Sequence, residues 1–341
     1  MAKFSAAVAA IIAAALTLTA CSRTSAADTG DAKTVAIVGY SVLEEANHGV
    51  QNAFTQTDAG RGATFTESYG ASGDQSRAVE AGQRADEVHL SLEPDVTRLV
   101  DAGLVAPDWK DNATNGVCTD SVVVFVVRKG NPKNITSWSD LTKPGVQIVT
   151  PDPASSGSAK WNLLAAYGSV TGNGGDDAAA QAYVQKFFAN VIALPASGRQ
   201  ATSTFTSGKG DVLLSYENEA ILARQSGTDF DYVVPTSSLL IENSCALLQE
   251  HSEAAEKWLD FQKSAPGQKL YAATGYRPLA SVADQLHDLT VTGAMDPSKP
   301  FPAIATLLTV DDDFGGWDAA NKKFFDPHSG LLTQLQEEAG F

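Results

Sequence analysis

Histidine and cysteine are too few and too scattered in this chain to build a metal site. The five histidines stand singly at 48, 89, 251, 287 and 328, and the three cysteines at 21, 118 and 245 share no short spacing. Zinc ligand patterns are therefore absent, and no metal or other cofactor is expected. The acidic run at 311–313 has neither the glycine nor the closing glutamate of a calcium loop, and it reads as a solvated turn. Basic residues are also scarce. Lys and Arg number 24 against 40 Asp and Glu, a formal net charge of −16 with no basic cluster. Nucleic acids and anionic surfaces need such clusters, so neither is an expected partner. A small anion is not excluded, because local donors can hold one whatever the net charge. Nucleophile motifs are missing too. "GASGD" at 70–74 lacks the last glycine of a G-x-S-x-G elbow, and "TSGKG" at 206–210 lacks both the first glycine and the final Ser/Thr of a phosphate loop. A hydrolase using Ser72 or Ser156 would find no base here, and the chain is not read as an enzyme.

An apolar run does open the chain: Lys3 precedes "SAAVAAIIAAALTLTA" at 5–20, too short and alanine-rich for a comfortable membrane span. Residues 1–20 read as an export signal. "LTAC" at 18–21 is similar to a bacterial lipobox, which makes Cys21 the expected lipid-bearing mature N-terminus; ordinary cleavage near Ala27 is the alternative. Residues 21–33 are polar and without periodicity, a linker between anchor and fold. Cys118 and Cys245 then remain as an even pair in an oxidising compartment, where a disulfide is the default. Closing so long a loop can stabilise by roughly 4 to 5 kcal/mol, less any strain.

With 43% apolar and 19% charged residues, the chain as a whole has a globular composition. "TVAIVGY", "ATFTESY" and "ADEVHLSL" read as strands, each followed by an amphipathic helix, so the first unit is a mostly parallel α/β sheet. "SVVVFVVRKGNPK" is an unbroken strand that leaves this sheet for a second α/β unit, and "CALLQE" returns. The expected architecture is two lobes joined by two hinge crossings: 34–117 and 246–341 as lobe 1, and 118–245 inserted as lobe 2. Cys118 and Cys245 fall at the crossings, where a disulfide would staple the hinge strands together.

Three Ser/Gly-rich turns stand directly before helices: "GASGDQ" at 70–75, "SSGSAK" at 155–160 and "ASGRQATS" at 196–203. A helix start carries unpaired N–H groups and about half a positive charge, which suits an anion without any cationic side chain. Each turn alone also reads as an ordinary serine N-cap. Three of them at strand ends fit the crevice where open α/β sheets bind ligands.

"YGASGDQSRAVEAG", the long segment "VFVVRKGNPKNITSWSDLTKPGVQIVTPDPASSGSAKWNLLAAYG", "GDVLLSYENEAIL", "GYRPL" and "TVDDDFGGW" together resemble the sulfate-binding proteins of ABC importers, from about Thr34 to beyond Trp317. The resemblance implies a two-lobed type II periplasmic-binding-protein fold, a monomer that captures sulfate or a related tetrahedral oxyanion, and an ABC permease as partner. It implies binding by Ser72 in the first lobe, by the Ser156 hydroxyl with the backbone of Gly157 and Ser158 in the second, and by Gly198 in the third turn, with Arg199 beside it as a supporting or interlobe residue. Two positions depart from the pattern. Ser41 replaces an aspartate whose usual contribution is its backbone amide. Tyr216 replaces a tryptophan; an indole only donates, whereas a phenol donates or accepts, which leaves thiosulfate and phosphate open as ligands. Tyr216 also reads as a core aromatic closing its strand, Trp161 and Tyr167 as packing residues, and "FGGW" as a packing corner.

Overall fold

In the computed structural model, which describes residues 33–341, the chain begins as β1 (Thr34–Tyr40), α1 (Glu44–Phe54), β2 (Thr64–Gly70), α2 (Ser72–Glu80), β3 (Glu87–Leu90) and α3 (Glu93–Asp101). The signal segment, Cys21 and the linker as far as residue 32 lie outside the described residues. The three strands run parallel in the order β2-β1-β3, the outcome of a βαβαβα pattern.

The second half follows as β4 (Val117–Arg128), β5 (Ile148–Val149), α4 (Gly157–Thr171), α5 (Asp177–Ala189), β6 (Val191–Ala193), α6 (Gly198–Thr206), β7 (Val212–Tyr216), α7 (Glu217–Gln225) and β8 (Phe230–Val233). β5 pairs in parallel with β6 and β7, while β4 runs antiparallel to β7 and β8. The chain returns through β9 (Ser237–Leu247) to α8 (Glu253–Lys263), α9 (Ala265–Ala273) and β10 (Thr306–Leu308). No helix among the described residues is long and apolar enough to cross a membrane.

β4 explains its own composition. Val123, Phe125 and Val127 enter one apolar cluster, and Val122, Val124 and Val126 enter another on the opposite face. A strand buried on both faces needs an unbroken apolar run instead of alternation. Its first half pairs with β9 and its second half with β7 and β8. β9 likewise pairs with β4 through Leu240–Ser244 and with β3 through Ser244–Leu247. These two antiparallel strands are the crossings between the sheets. Cys118 sits at a register shift in β4, and its disulfide to Cys245, with Cα atoms 5.8 Å apart, joins the strands there.

The return strand begins at Ser237, earlier than "CALLQE" suggests, because buried Ser238, Asn243 and Ser244 interrupt its apolar pattern. The C-terminal run, expected on lobe 1, divides its contacts. α8 and α9 pack on β1 and α1, but Val291 and Ala294 join the cluster of Phe205 and Tyr232, and β10 extends the start of β9. Trp317 meets Trp161 edge-on at 4.7 Å and Phe324 meets Tyr167 at 4.8 Å. Residues from 291 onward therefore cover apolar faces belonging to the inserted segment, with "FGGW" as a packing corner on α4.

Under the crossing, the β3 residue Glu87 is buried and accepts hydrogen bonds from Trp258 Nε1 and Gln262 Nε2. Burial pushes its carboxyl up to about 7, against the opposing effect of Gln262, Trp258 and Lys263. Below about pH 7 the neutral acid is thus the favoured folded form. Its stabilising contribution is complete below about pH 4.5 and is lost as pH rises through 7, about 3 kcal/mol in all. Glu87→Gln should flatten the stability-versus-pH curve between pH 4.5 and 7, measured by urea unfolding at several pH values. An unchanged slope would contradict this account of Glu87.

Candidate functional site

The three serine-bearing turns converge on one small cavity. Ser41 and Ser72 line it from the first lobe, and Ser156, Gly157, Ser158 and Gly198 from the second. The space between them is small, about 10 Å³. The lobes meet across it: Gly73 N–H donates to Ser155 O at 3.2 Å, and Trp161 Nε1 donates to Ser91 O at 2.9 Å. A Cβ on Gly198 would lie 3.2 Å from Val42 of the opposite lobe.

The choice between cap and ligand site resolves differently at each turn. Ser197 is an ordinary N-cap whose Oγ accepts from Gln200 N–H at 3.2 Å. Ser156 occupies the N-cap position of α4 but makes no capping bond, so its hydroxyl is left to the cavity. Gly157, Ser158, Gly198 and Ser72 lie in first turns, whose N–H groups have no carbonyl four residues back within the helix.

Tertiary contacts decide which group two of the serines can offer, and at Ser41 it is not the expected amide. The Ser41 amide is committed to Gly70 O at 2.7 Å, because the strand pairing of β1 with β2 continues one residue further. Only the Ser41 hydroxyl remains, and the next N–H, of Val42, borders the cavity without a partner among the described residues. The Ser72 hydroxyl donates to Asp95 Oδ2 at 2.6 Å and accepts from Ser91 N–H at 2.9 Å, so Ser72 offers its backbone amide. Burial raises the Asp95 carboxyl, while Ser72 and the nearby Lys160, Arg98 and Arg77 act against that shift.

Tyr216 does not border the cavity. It is buried at the end of β7, with Oη 2.6 Å from Ser91 Oγ. Ser91, which sequence reasoning missed, does border it. Arg199 points away to Glu219, with Nε at 3.5 Å from Oε1, and so sits beside the site. Trp161 and Tyr167 are core residues of α4.

A larger crevice of about 440 Å³ lies behind the same turns, with Arg77, Arg98 and Lys160 in its wall. Two of its cations have close partners: Arg77 pairs with Asp74 at 2.5 Å and Lys160 donates to Asn321 at 3.0 Å, while Arg98 stands 3.7 Å from Glu80 with its buried Nε unpartnered. Among the described residues, the one group of acids, thiols and imidazoles close enough to share a metal is Glu87 with Cys118 and Cys245, whose sulfurs are bonded to each other.

A donor-lined cavity between two hinged α/β lobes defines a solute-binding protein, and comparison with known proteins agrees. Residues 35–277 match the family described as bacterial extracellular solute-binding protein. The sulfate-binding protein of Synechococcus elongatus is 37% identical over 337 residues, covering 94% of this chain and 93% of the relative. The thiosulfate-binding protein of Pseudomonas aeruginosa is 34% identical over 317 residues, covering 87% and 90%. Among solved structures, the sulfate-binding protein SubI from Mycobacterium tuberculosis superposes with a TM-score of 0.80 at 43% identity, over 86% of this chain and all of that one. The chain belongs to the bacterial extracellular solute-binding proteins. Within them it falls in the sulfate-binding protein family.

A Cβ on Gly157 would stand 2.5 Å from Ser91 Oγ and 2.9 Å from Leu92 Cγ, across the interlobe contact. Gly157→Ala should therefore hold the lobes apart while each stays folded. Small-angle scattering with excess sulfate should give a larger radius of gyration than wild type, with unchanged far-ultraviolet circular dichroism. Superimposable scattering curves would contradict the tight approach at Gly157.

Proposed function

We propose that this chain is the extracytoplasmic capture subunit of an ABC importer, that it binds sulfate in the cavity between its lobes, and that it hands the ion to the membrane permease. The observation that carries the reading is the cavity wall: hydroxyls, glycines and first-turn amides border it, with no acid or base among the lining residues beyond the phenol of Tyr40. Sulfate at neutral pH has acceptors only. A wall of N–H and O–H groups can offer a donor to each oxygen, whereas a protonated oxyanion brings an O–H that needs an acceptor. The helix starts of α2, α4 and α6 supply the compensating positive ends without a cation. Relatives named for sulfate and for thiosulfate support this ligand class.

Capture works as a population shift. The ion touches both lobes, so it stabilises the closed arrangement over an open one. The lobes are assigned as 34–117 with the start of the segment after 245, and 118–245. β4 and β9 serve as the hinge, and the Cys118–Cys245 bond ties it together. A lipid on Cys21 would hold the protein at the outer face of the cell membrane, with residues 21–33 as slack, and one copy suffices for one cavity. Binding rather than hydrolysis fits the serines: Ser72 faces a carboxylate but is held by Ser91 N–H on its other side.

Calorimetry of the mature chain should show sulfate binding tighter than ~1 mM, with thiosulfate, phosphate and molybdate weaker. Ser156→Ala should weaken sulfate roughly 10- to 150-fold, the loss of one hydrogen bond to a charged group. Absence of heat with all four anions would overturn the proposal.

A further inference from the structure

We infer that Ser91 delivers the side-chain donor that the resemblance assigns to Tyr216, and that Tyr216 acts through it as a positioning residue, so that the pair can present either a donor or an acceptor to the ligand. This rests on the oxyanion-binding reading above and specifies how that site recognises protonation. Ser91 follows β3, is buried, and borders the cavity, which Tyr216 does not. Its position is fixed from three sides. Its N–H donates to Ser72 Oγ, its carbonyl accepts from Trp161 Nε1 and, at 3.3 Å, from Asn243 Nδ2, and its Oγ lies 2.6 Å from Tyr216 Oη. The Gly157 Cα lies directly beneath that Oγ, close enough that no Cβ fits between them. The Ser91 hydroxyl therefore stands beside the first-turn amides that face the cavity.

Proton bookkeeping gives the pair its function. Two hydroxyls carry two protons, and the bond between them uses one. When Tyr216 donates to Ser91, the Ser91 proton is left to point at an oxygen of a fully deprotonated oxyanion. When Ser91 donates to Tyr216, a Ser91 lone pair faces the cavity and can accept the O–H of a protonated oxyanion such as hydrogen phosphate. The phenol proton then turns toward the Ser158 hydroxyl beside it. Burial holds the phenol well above its ordinary range, so the proton count stays constant across physiological pH. No bond breaks; two hydroxyls rotate. An indole at 216 could not accept, and it would leave Ser91 fixed as a donor.

The test is calorimetry at pH 8 with sulfate and with hydrogen phosphate on wild type, Ser91→Ala, Ser91→Cys and Tyr216→Phe, each checked for native circular dichroism. Wild-type binding of sulfate tests the underlying reading by itself, and no binding there overturns both. Given that binding, Ser91→Ala should weaken sulfate at least 10-fold and Ser91→Cys by less, because the thiol remains a weak donor. Tyr216→Phe should weaken sulfate by under 5-fold yet raise the sulfate-to-phosphate affinity ratio, since Ser91 can then no longer pass its proton to the phenol. A purely structural role would weaken both anions alike and leave the ratio unchanged, which would overturn the inference. So would a loss of sulfate affinity in Tyr216→Phe equal to or larger than that in Ser91→Ala, the mark of a direct phenol contact.

Discussion

Helix starts leave N–H groups that no carbonyl of the same helix can reach, and the rest of this structure is arranged around where those groups point. α2, α4 and α6 each begin at the end of a strand or turn, and their first turns meet at one place between the lobes. Buried and unpaired, such donors are costly; paired with an anion, they become the binding site. No acidic side chain borders the cavity. Asp95 accepts the hydrogen bond of the Ser72 hydroxyl, which leaves that oxygen to accept from Ser91 N–H, while Lys160, Arg98 and Arg77 act against the burial that raises the Asp95 carboxyl. None of these positive side chains borders the small cavity, which is left to dipoles.

Closing such a site requires that two lobes meet in a reproducible register, and the crossing strands supply it. Beside the Cys118–Cys245 bond runs a buried polar chain: Tyr40 Oη bonds Asn243 and Tyr276, and Thr119 bridges Asn243 to His89. Burial holds the His89 imidazole neutral, down to about 3. Fully satisfied networks of this kind specify one geometry, and a hinge that must return to the same closed state gains from that specificity.

Much of the fold was legible because periodicity reports burial. The βαβαβα pattern and the doubly buried β4 run are direct examples. The start of β9 was not, since Ser238, Asn243 and Ser244 pair within the core and break the apolar signal. At the site, the turns were legible as anion-binding candidates from Ser and Gly before helices. Which group each serine offers was not. The Ser41 amide is consumed by a sheet bond, the Ser72 hydroxyl by Asp95, and Ser197 by a cap, all decided by tertiary contacts. Ser91 gave no local signal, because "HLSLEP" reads as a strand end before a helix. Only the fold brings it to Tyr216, 125 positions away.

In the proposed complex neutral donors hold the ion, in preference to the cations of the larger crevice behind the same turns. A crystal structure of the mature chain with sulfate tests it most directly. The account predicts the sulfur between Ser156, Gly157, Gly198 and Ser72, with every contact from an N–H or O–H group and none from Arg77, Arg98 or Lys160. Sulfate seated on those three side chains, with the small cavity left to water, would contradict it.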